Sequence, residues 1–349
     1  MERLDPNKIA FIYVNGHPNT MLLVDYLGIK ERYKIINFFS GSIKNTIKSM
    51  TSLVHLPKNY DIYLIEGNFI TPIIARKLRL IQKNAKIIKY LGEPIFYRLL
   101  NGQTKGIKKK ILDYFLKDVD AFICHGDWQV ELLTKYLPNA KKMMVYTPIL
   151  PEVFEHFTVD NKLPDLNSHN ILLIGNGTQQ SRVKYKGLDL AVNSVETVRK
   201  TYPDTKLNII GKWDKKTLEE YKKYGFVKFL GYVPDLLPYI KDSALYLHPA
   251  RGEAFGLSIV EAMLGGLPAI VSNETGAKTV VSKVDSKCIV DTTIDSVSSA
   301  IIWYFSLKPA ERLDLSRKSK KTAESMNPKI IIPKFKRDFE DLVKSLINE

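Results

Sequence analysis

The sequence predicts two tandem doubly wound α/β domains, each a parallel sheet covered by helices. Three observations carry that expectation. At 349 residues the chain exceeds what one hydrophobic core usually supports. Short β-branched and aromatic runs alternate with longer amphipathic stretches, the pattern of βαβ units. Between Pro148 and Asn170 the alternation lapses into Pro, Asp, Asn and Ser, a composition typical of interdomain linkers.

In the first half, strands are expected at Lys8–Val14, Lys34–Phe39, Asp61–Glu66, Lys86–Leu91, Ala121–His125 and Lys142–Tyr146, with helical stretches such as Phe69–Asn84 and Lys105–Lys117 between them. The turns after these strands carry Gly or polar residues: Asn15-Gly16-His17, Glu66-Gly67-Asn68, Gly92-Glu93 and Gly126-Asp127. Parallel sheets bind their ligands at such turns.

In the second half, strands are expected at Ile171–Ile174, Lys206–Ile210, Val227–Leu230, Ala244–Leu247, Ala269–Ser272 and Lys287–Val290. Helices fall near Gly187–Thr201, Lys215–Tyr224, Leu257–Leu264 and Ser296–Phe305. Asn327-Pro328 breaks the helical pattern, after which Phe335, Phe339, Leu342 and Leu346 recur at helical spacing. The expected organisation is a first Rossmann-like domain over 1–155, a second over 156–326, and a terminal helix over 327–349 that returns to the first domain.

Composition narrows the function classes. The 45% apolar content is ordinary for a soluble protein. The opening Met-Glu-Arg-Leu-Asp lacks the basic-then-apolar plan of a signal peptide, and Pro, Gly or a charge interrupts every apolar run before bilayer length. A cytoplasmic enzyme is the expectation. Cys124 and Cys288 have no metal-ligand spacing and read as reduced packing residues. The net charge of +15 is uneven: between Arg76 and Lys117 twelve cations face only Glu93 and Asp113, a local balance of +10. A solubilising face, an anionic membrane surface, a phosphate-bearing acceptor and a nucleic acid all fit, and charge alone does not choose among them.

The segment from His248 to Gly276 carries the most chemistry. His248-Pro249-Ala250-Arg251-Gly252-Glu253-Ala254-Phe255-Gly256 follows an expected strand, and Leu257-Ser258-Ile259-Val260-Glu261-Ala262-Met263 opens a helix. A ligand there meets the free amides of a helix N-terminus, and Gly252 and Gly256 allow close backbone approach. Glu261, one turn inside the helix, can accept two hydrogen bonds from a vicinal diol, as an acidic residue commonly does for a nucleotide ribose.

This run resembles the Glu-x7-Glu motif of the retaining glycosyltransferases usually called family 4, with Pro249, Glu253, Phe255-Gly256, Glu261-Ala262-Met263, Gly266 and Pro268 in register. Upstream, Gly175-Asn176-Gly177, Arg182 and Lys186-Gly187 resemble the family's loop of Arg followed by Lys-Gly, although the gap before the Lys is shorter than usual. Lys228-Phe229-Leu230-Gly231-Tyr232-Val233-Pro234 resembles its nucleobase-lining strand and loop. In the first domain Val119-Asp120-Ala121-Phe122-Ile123 resembles a strand entry of the family. The Asn-Gly that usually closes that domain is replaced by Tyr146-Thr147-Pro148, and the usual His after the fourth strand by Gly92-Glu93-Pro94.

The resemblance implies the GT-B fold, two Rossmann-like domains facing each other across a cleft, and transfer of a sugar from a nucleoside diphosphate to an acceptor hydroxyl with retention. It implies that Glu253 with the amides of Ala254, Phe255, Gly256 and Leu257 positions the donor sugar. Glu261 would hold the ribose, backbone at Tyr232 and Val233 would read the base, and Arg182 with Lys186 would take the diphosphate charge in place of a metal. Gly16, His17 and Glu93 are the acceptor-side candidates. No cofactor is expected beyond the nucleotide sugar itself. The expected partners are that donor, a glycan or lipid-linked acceptor and an anionic membrane surface met peripherally; nucleic acid is not expected. Asp118-Val119-Asp120 matches a metal-binding Asp-x-Asp signature of another fold but leads into a buried-looking strand, which suits capping and strand entry. Two rivals stay open: a sugar-nucleotide epimerase on the same fold, and a basic binding protein without catalysis.

Overall fold

The computed structural model describes residues 5–38, 51–160 and 162–348. It divides into two compact units, Met1–Leu150 with Pro328–Glu349, and Pro151–Asn327. The boundaries expected at 155 and 326 therefore lie at 150 and 327.

The first unit is built on a six-stranded parallel sheet: β1 (Ile9–Tyr13), β2 (Glu31–Lys34), β3 (Ile62–Glu66), β4 (Lys86–Tyr90), β5 (Ala121–His125) and β6 (Lys142–Val145), in the order β2-β1-β3-β4-β5-β6. Its inner strands are near-continuous apolar runs because helices cover both faces of a parallel sheet, and Ile9–Ile12, Ile62–Ile65 and Ala121–Cys124 are all buried. Lys89 breaks the run in β4 and is nonetheless fully buried. The strand expected at Lys34–Phe39 is a correction: β2 ends at Lys34, because its ladder pairs Ala10 with Glu31 and Tyr13 with Lys34, so β1 runs out there. Phe39 lies outside the described residues.

The helix expected over Phe69–Asn84 is also shorter, Ile70–Lys77. Arg79 takes a left-handed conformation, φ 59°, and Leu80 N–H bonds the Ala75 carbonyl, which closes the last turn. The terminal helix Pro328–Ile347 packs on the helix Pro18–Leu27 and on β6, burying Phe335, Phe339, Leu342 and Leu346. Asp120 pairs with Arg76 at 2.5 Å and accepts the Ile87 N–H at 2.7 Å, and Asp118 pairs with Lys77 at 2.9 Å. These carboxylates tie a helix to the sheet.

The second unit carries β7 (Asn170–Ile174), β8 (Lys206–Ile210), β9 (Val227–Gly231), β10 (Leu245–His248), β11 (Ala269–Ser272) and β12 (Ile289–Val290). The strands are parallel, in the order β12-β11-β10-β7-β8-β9. The chain works outward from β7 on one side and from β10 on the other, so strand order reverses between these two neighbours, where such sheets bind ligands. The linker expected from Pro148 to Asn170 is corrected in part: Pro151–Val159 is a helix held by buried Phe154 and Phe157, three apart on one face. Cys124 and Cys288 are unpaired, and burial raises both thiols to about 12, which leaves them inert.

Candidate functional site

Two loops leave the reversal point of the second sheet. The loop after β7 runs from Gly175 to the short helix Gln180–Tyr185, and the loop after β10 runs from Pro249 to Gly256. Gly187, at φ 69°, lets them touch: a Cβ there would lie 2.2 Å from the Pro249 carbonyl oxygen. Arg251 reinforces the junction, donating to Asp189 at 2.8 and 3.1 Å and to the Lys184 carbonyl at 2.9 Å.

This arrangement brings Lys186 onto Glu253. Their side chains, 14% and 15% exposed, form an ion pair through Nζ and Oε2. Burial raises the Glu253 carboxyl, but the Lys186 ammonium outweighs it and holds the group well below the usual carboxylate range. His248 Nε2 stands 3.7 Å from the same carboxylate, outside hydrogen-bonding distance, and burial holds its imidazole below its ordinary value. His248 is thus neutral at physiological pH. Tyr246 Oη links His248 Nδ1 at 3.3 Å with Ser258 Oγ at 2.9 Å, fixing the ring against the start of the next helix.

The Glu253 loop is stapled to the turn after β11. Gly276 N–H donates to Glu253 O at 3.0 Å, Ala277 N–H to Phe255 O at 2.9 Å and Gly252 N–H to Glu274 O at 3.2 Å. Ala254 and Phe255 are buried, and Gly256, at φ 95°, caps the helix Leu257–Leu264. Ile259 N–H bonds the Gly256 carbonyl at 3.1 Å, and the amides before it stand at the positive dipole end of the helix, a cradle for oxygen-rich or anionic groups. Glu261 sits one turn further in, where burial raises its carboxyl to about 7.

Other candidates stand apart. Arg182 is exposed on the short helix, with no side-chain partner among the described residues. Tyr232 follows β9, two strands from β7, and is 71% exposed with Lys212 Nζ 5.7 Å from its ring; Val233 is half-buried beside it.

In the first unit, Gly16 (φ 65°) and exposed His17 form the turn after β1, with His17 at the N-cap of Pro18–Leu27. Glu93 pairs with buried Lys89 at 3.1 Å, and Lys89 Nζ also donates to Gly67 O at 2.9 Å. Sequence reasoning reached Glu66 only through the turn after its strand and did not single out Arg251, Lys89, Tyr90 or His125. The available signals were a cation inside an apolar strand at Lys89 and a carboxylate closing one at Glu66.

Residues 179–322, which include Lys186, Glu253 and Glu261, match the family described as Glycosyl transferases group 1. Over 135 residues the chain is 35% identical to the O-antigen chain mannosyltransferase B of Escherichia coli, a match covering 36% of this chain and 34% of that protein. The chain spans about a third of the length of the curated relatives it matches first. Among solved structures, sucrose-phosphate synthase from Thermosynechococcus elongatus superposes with a TM-score of 0.71 at 15% identity, covering 97% of this chain and 99% of that one. Anabaena HepE in complex with UDP-glucose gives 0.67 at 12% identity, covering 97% and 99%. The fold is that of GT-B glycosyltransferases.

Proposed function

We propose that the protein is a retaining glycosyltransferase of the family 4 type, which moves a sugar from a nucleoside diphosphate to an acceptor hydroxyl without a metal. The observation that carries this reading is the largely buried Lys186–Glu253 pair, whose Glu253 stands in the loop that leads into the helix start at Gly256 and Leu257. A fixed ammonium beside preorganised N–H donors suits the charge that grows on a departing diphosphate. Lys186, helped by Arg182, takes that charge. Glu253 and the backbone from Ala254 to Leu257 orient the donor sugar, Glu261 holds the ribose, and Tyr232 and Val233 border the base.

The acceptor side belongs to the first unit, at Gly16, His17 and Glu93. Similarity to an O-antigen mannosyltransferase supports a glycan or lipid-linked acceptor. No helix among the described residues is long and apolar enough to cross a membrane. The helix Gly106–Leu116 exposes Ile107 and Tyr114 among Lys105, Lys108 and Lys110, which suits peripheral contact with an anionic bilayer. Cosedimentation with phosphatidylglycerol vesicles that weakens with salt is the expected result.

Incubation with a panel of nucleotide sugars and acceptor glycans tests the central reading. Release of nucleoside diphosphate, lost in Lys186→Ala and Glu253→Ala variants that stay folded, is expected. Full activity in both variants overturns it. An epimerase would convert the donor sugar without acceptor, and a pure binding protein would release nothing.

A further inference from the structure

The carboxyl end of the first sheet holds a polar cluster that the donor machinery leaves unused. Glu66 closes β3, Tyr90 closes β4 and His125 closes β5, and Glu66 and Tyr90 are direct cross-strand partners. The Tyr90 and His125 rings meet edge to face with centroids 4.5 Å apart. Glu66 Oε2, Tyr90 Oη and His125 Nε2 are all buried, and none has a hydrogen-bond partner among the described residues. The Thr20 hydroxyl lies near Tyr90 Oη but outside bonding geometry.

Buried polar atoms in native proteins are nearly always bonded, so three orphans on adjacent strands point to a ligand that completes them. Their position fits: this sheet reverses its strand order between β1 and β3, and Glu66 closes β3 beside that point.

The chemistry of that ligand follows from charge and from what each group has already committed. His125 Nδ1 is bonded to the Thr147 hydroxyl, and burial, then His17, pushes the imidazole down to about 3, so the ring is neutral. Burial also holds the Glu66 carboxyl above its usual range, against the pull of the His17 amide and Lys89. Lys89 is the nearby cation, and it is already engaged by the Gly67 carbonyl and by Glu93. A phosphate would therefore face two carboxyl groups and a neutralised lysine. Hydroxyls, each both donor and acceptor, match a carboxyl, a phenol and a neutral imidazole.

We propose that Glu66, Tyr90 and His125 form a subsite for adjacent hydroxyls of a neutral sugar. That this sugar is the acceptor rests on the transferase reading; the subsite itself does not.

Saturation-transfer NMR on the full chain, with methyl hexopyranosides as the neutral probes and glycerol 3-phosphate as the anionic one, tests it. Saturation transfer to at least one methyl hexoside is expected, with affinity at least tenfold weaker in Tyr90→Phe and in Glu66→Gln, and little transfer to glycerol 3-phosphate. Tyr90→Phe removes only an unbonded hydroxyl, so it should melt no lower than the parent protein, which separates lost binding from lost folding. Absence of transfer to every hexoside, unchanged affinity in both variants, or preference for glycerol 3-phosphate overturns the subsite. Failure of the transferase reading shows instead as absent nucleoside diphosphate release and leaves these outcomes readable.

Discussion

Lys186 and Glu253, 67 positions apart in the chain, form a largely buried ion pair where two loops meet beside the reversal point of the second sheet. Removing one partner leaves the other charged, buried and unpaired, which typically costs about 3–5 kcal/mol. Lys186→Met and Glu253→Gln should each lower the melting temperature more than the double variant does. A double-mutant cycle by thermal or urea unfolding reads this, and additive losses would show that the pair is not coupled.

The same pair sets an acid limb. Glu253 titrates lower in the folded protein than in the unfolded chain, where glutamate titrates near about 4.3. Its contribution is therefore present above that value and is lost as pH falls toward the folded pKa. Between the two values the unfolded state binds one more proton, so stability drops by about 1.4 kcal/mol per pH unit on acidification. Urea unfolding from pH 6 to 3 should show a shallower acid limb in Glu253→Gln.

Glu261 runs the opposite way. Its folded pKa is raised to about 7 by burial, so the group disfavours folding increasingly as pH rises from the unfolded value through 7. Glu261→Gln should remove that neutral-pH loss of stability. A ribose diol needs the carboxylate as acceptor, so nucleotide affinity should rise from pH 6 to 8 with an inflection near 7, seen by calorimetry and absent in Glu261→Gln.

Gly187→Ala should damage the junction of the two loops. The new Cβ would sit 2.2 Å from a backbone carbonyl oxygen at a φ of 69°, and neither can yield cheaply. A loss of about 2 kcal/mol or more is expected from strain and displacement, read as a lowered urea midpoint together with weakened nucleotide binding.

Phe339→Ala tests the terminal helix. Phe339 is fully buried and stacks on Phe335 with ring centroids 5.8 Å apart. Truncating a buried aromatic costs about 3–5 kcal/mol, so the first unit should melt early while nucleotide binding by the second unit persists. Differential scanning calorimetry with and without nucleoside diphosphate separates the two.

The sequence by itself determined the repeating strand-and-helix plan and marked the loop after β10 with the helix start that follows it as a candidate site. Apolar runs mark parallel strands because both faces of each sheet are covered, and the start of Leu257–Leu264 was legible because Gly256 and the residues before it have no other local use. It also determined that Phe335, Phe339, Leu342 and Leu346 share one helical face. Where burial is met without an apolar stripe, the sequence was silent. The helix Pro309–Glu324 buries Leu315 and Ala323 with Ser316, Ser319 and an Arg312 whose guanidinium bonds the Leu166 and Phe305 carbonyls, so its apolar signal is sparse.

Only the tertiary structure decided which distant residues meet. Strand order places the β7 and β10 loops side by side and so pairs Lys186 with Glu253, while Arg182, equally cationic in sequence, is left exposed. Strand order likewise sets Glu66, Tyr90 and His125 together on three neighbouring strands, although in sequence they are isolated residues at strand ends. Periodicity is a local property of the chain, whereas adjacency in a parallel sheet depends on crossovers that no local pattern records.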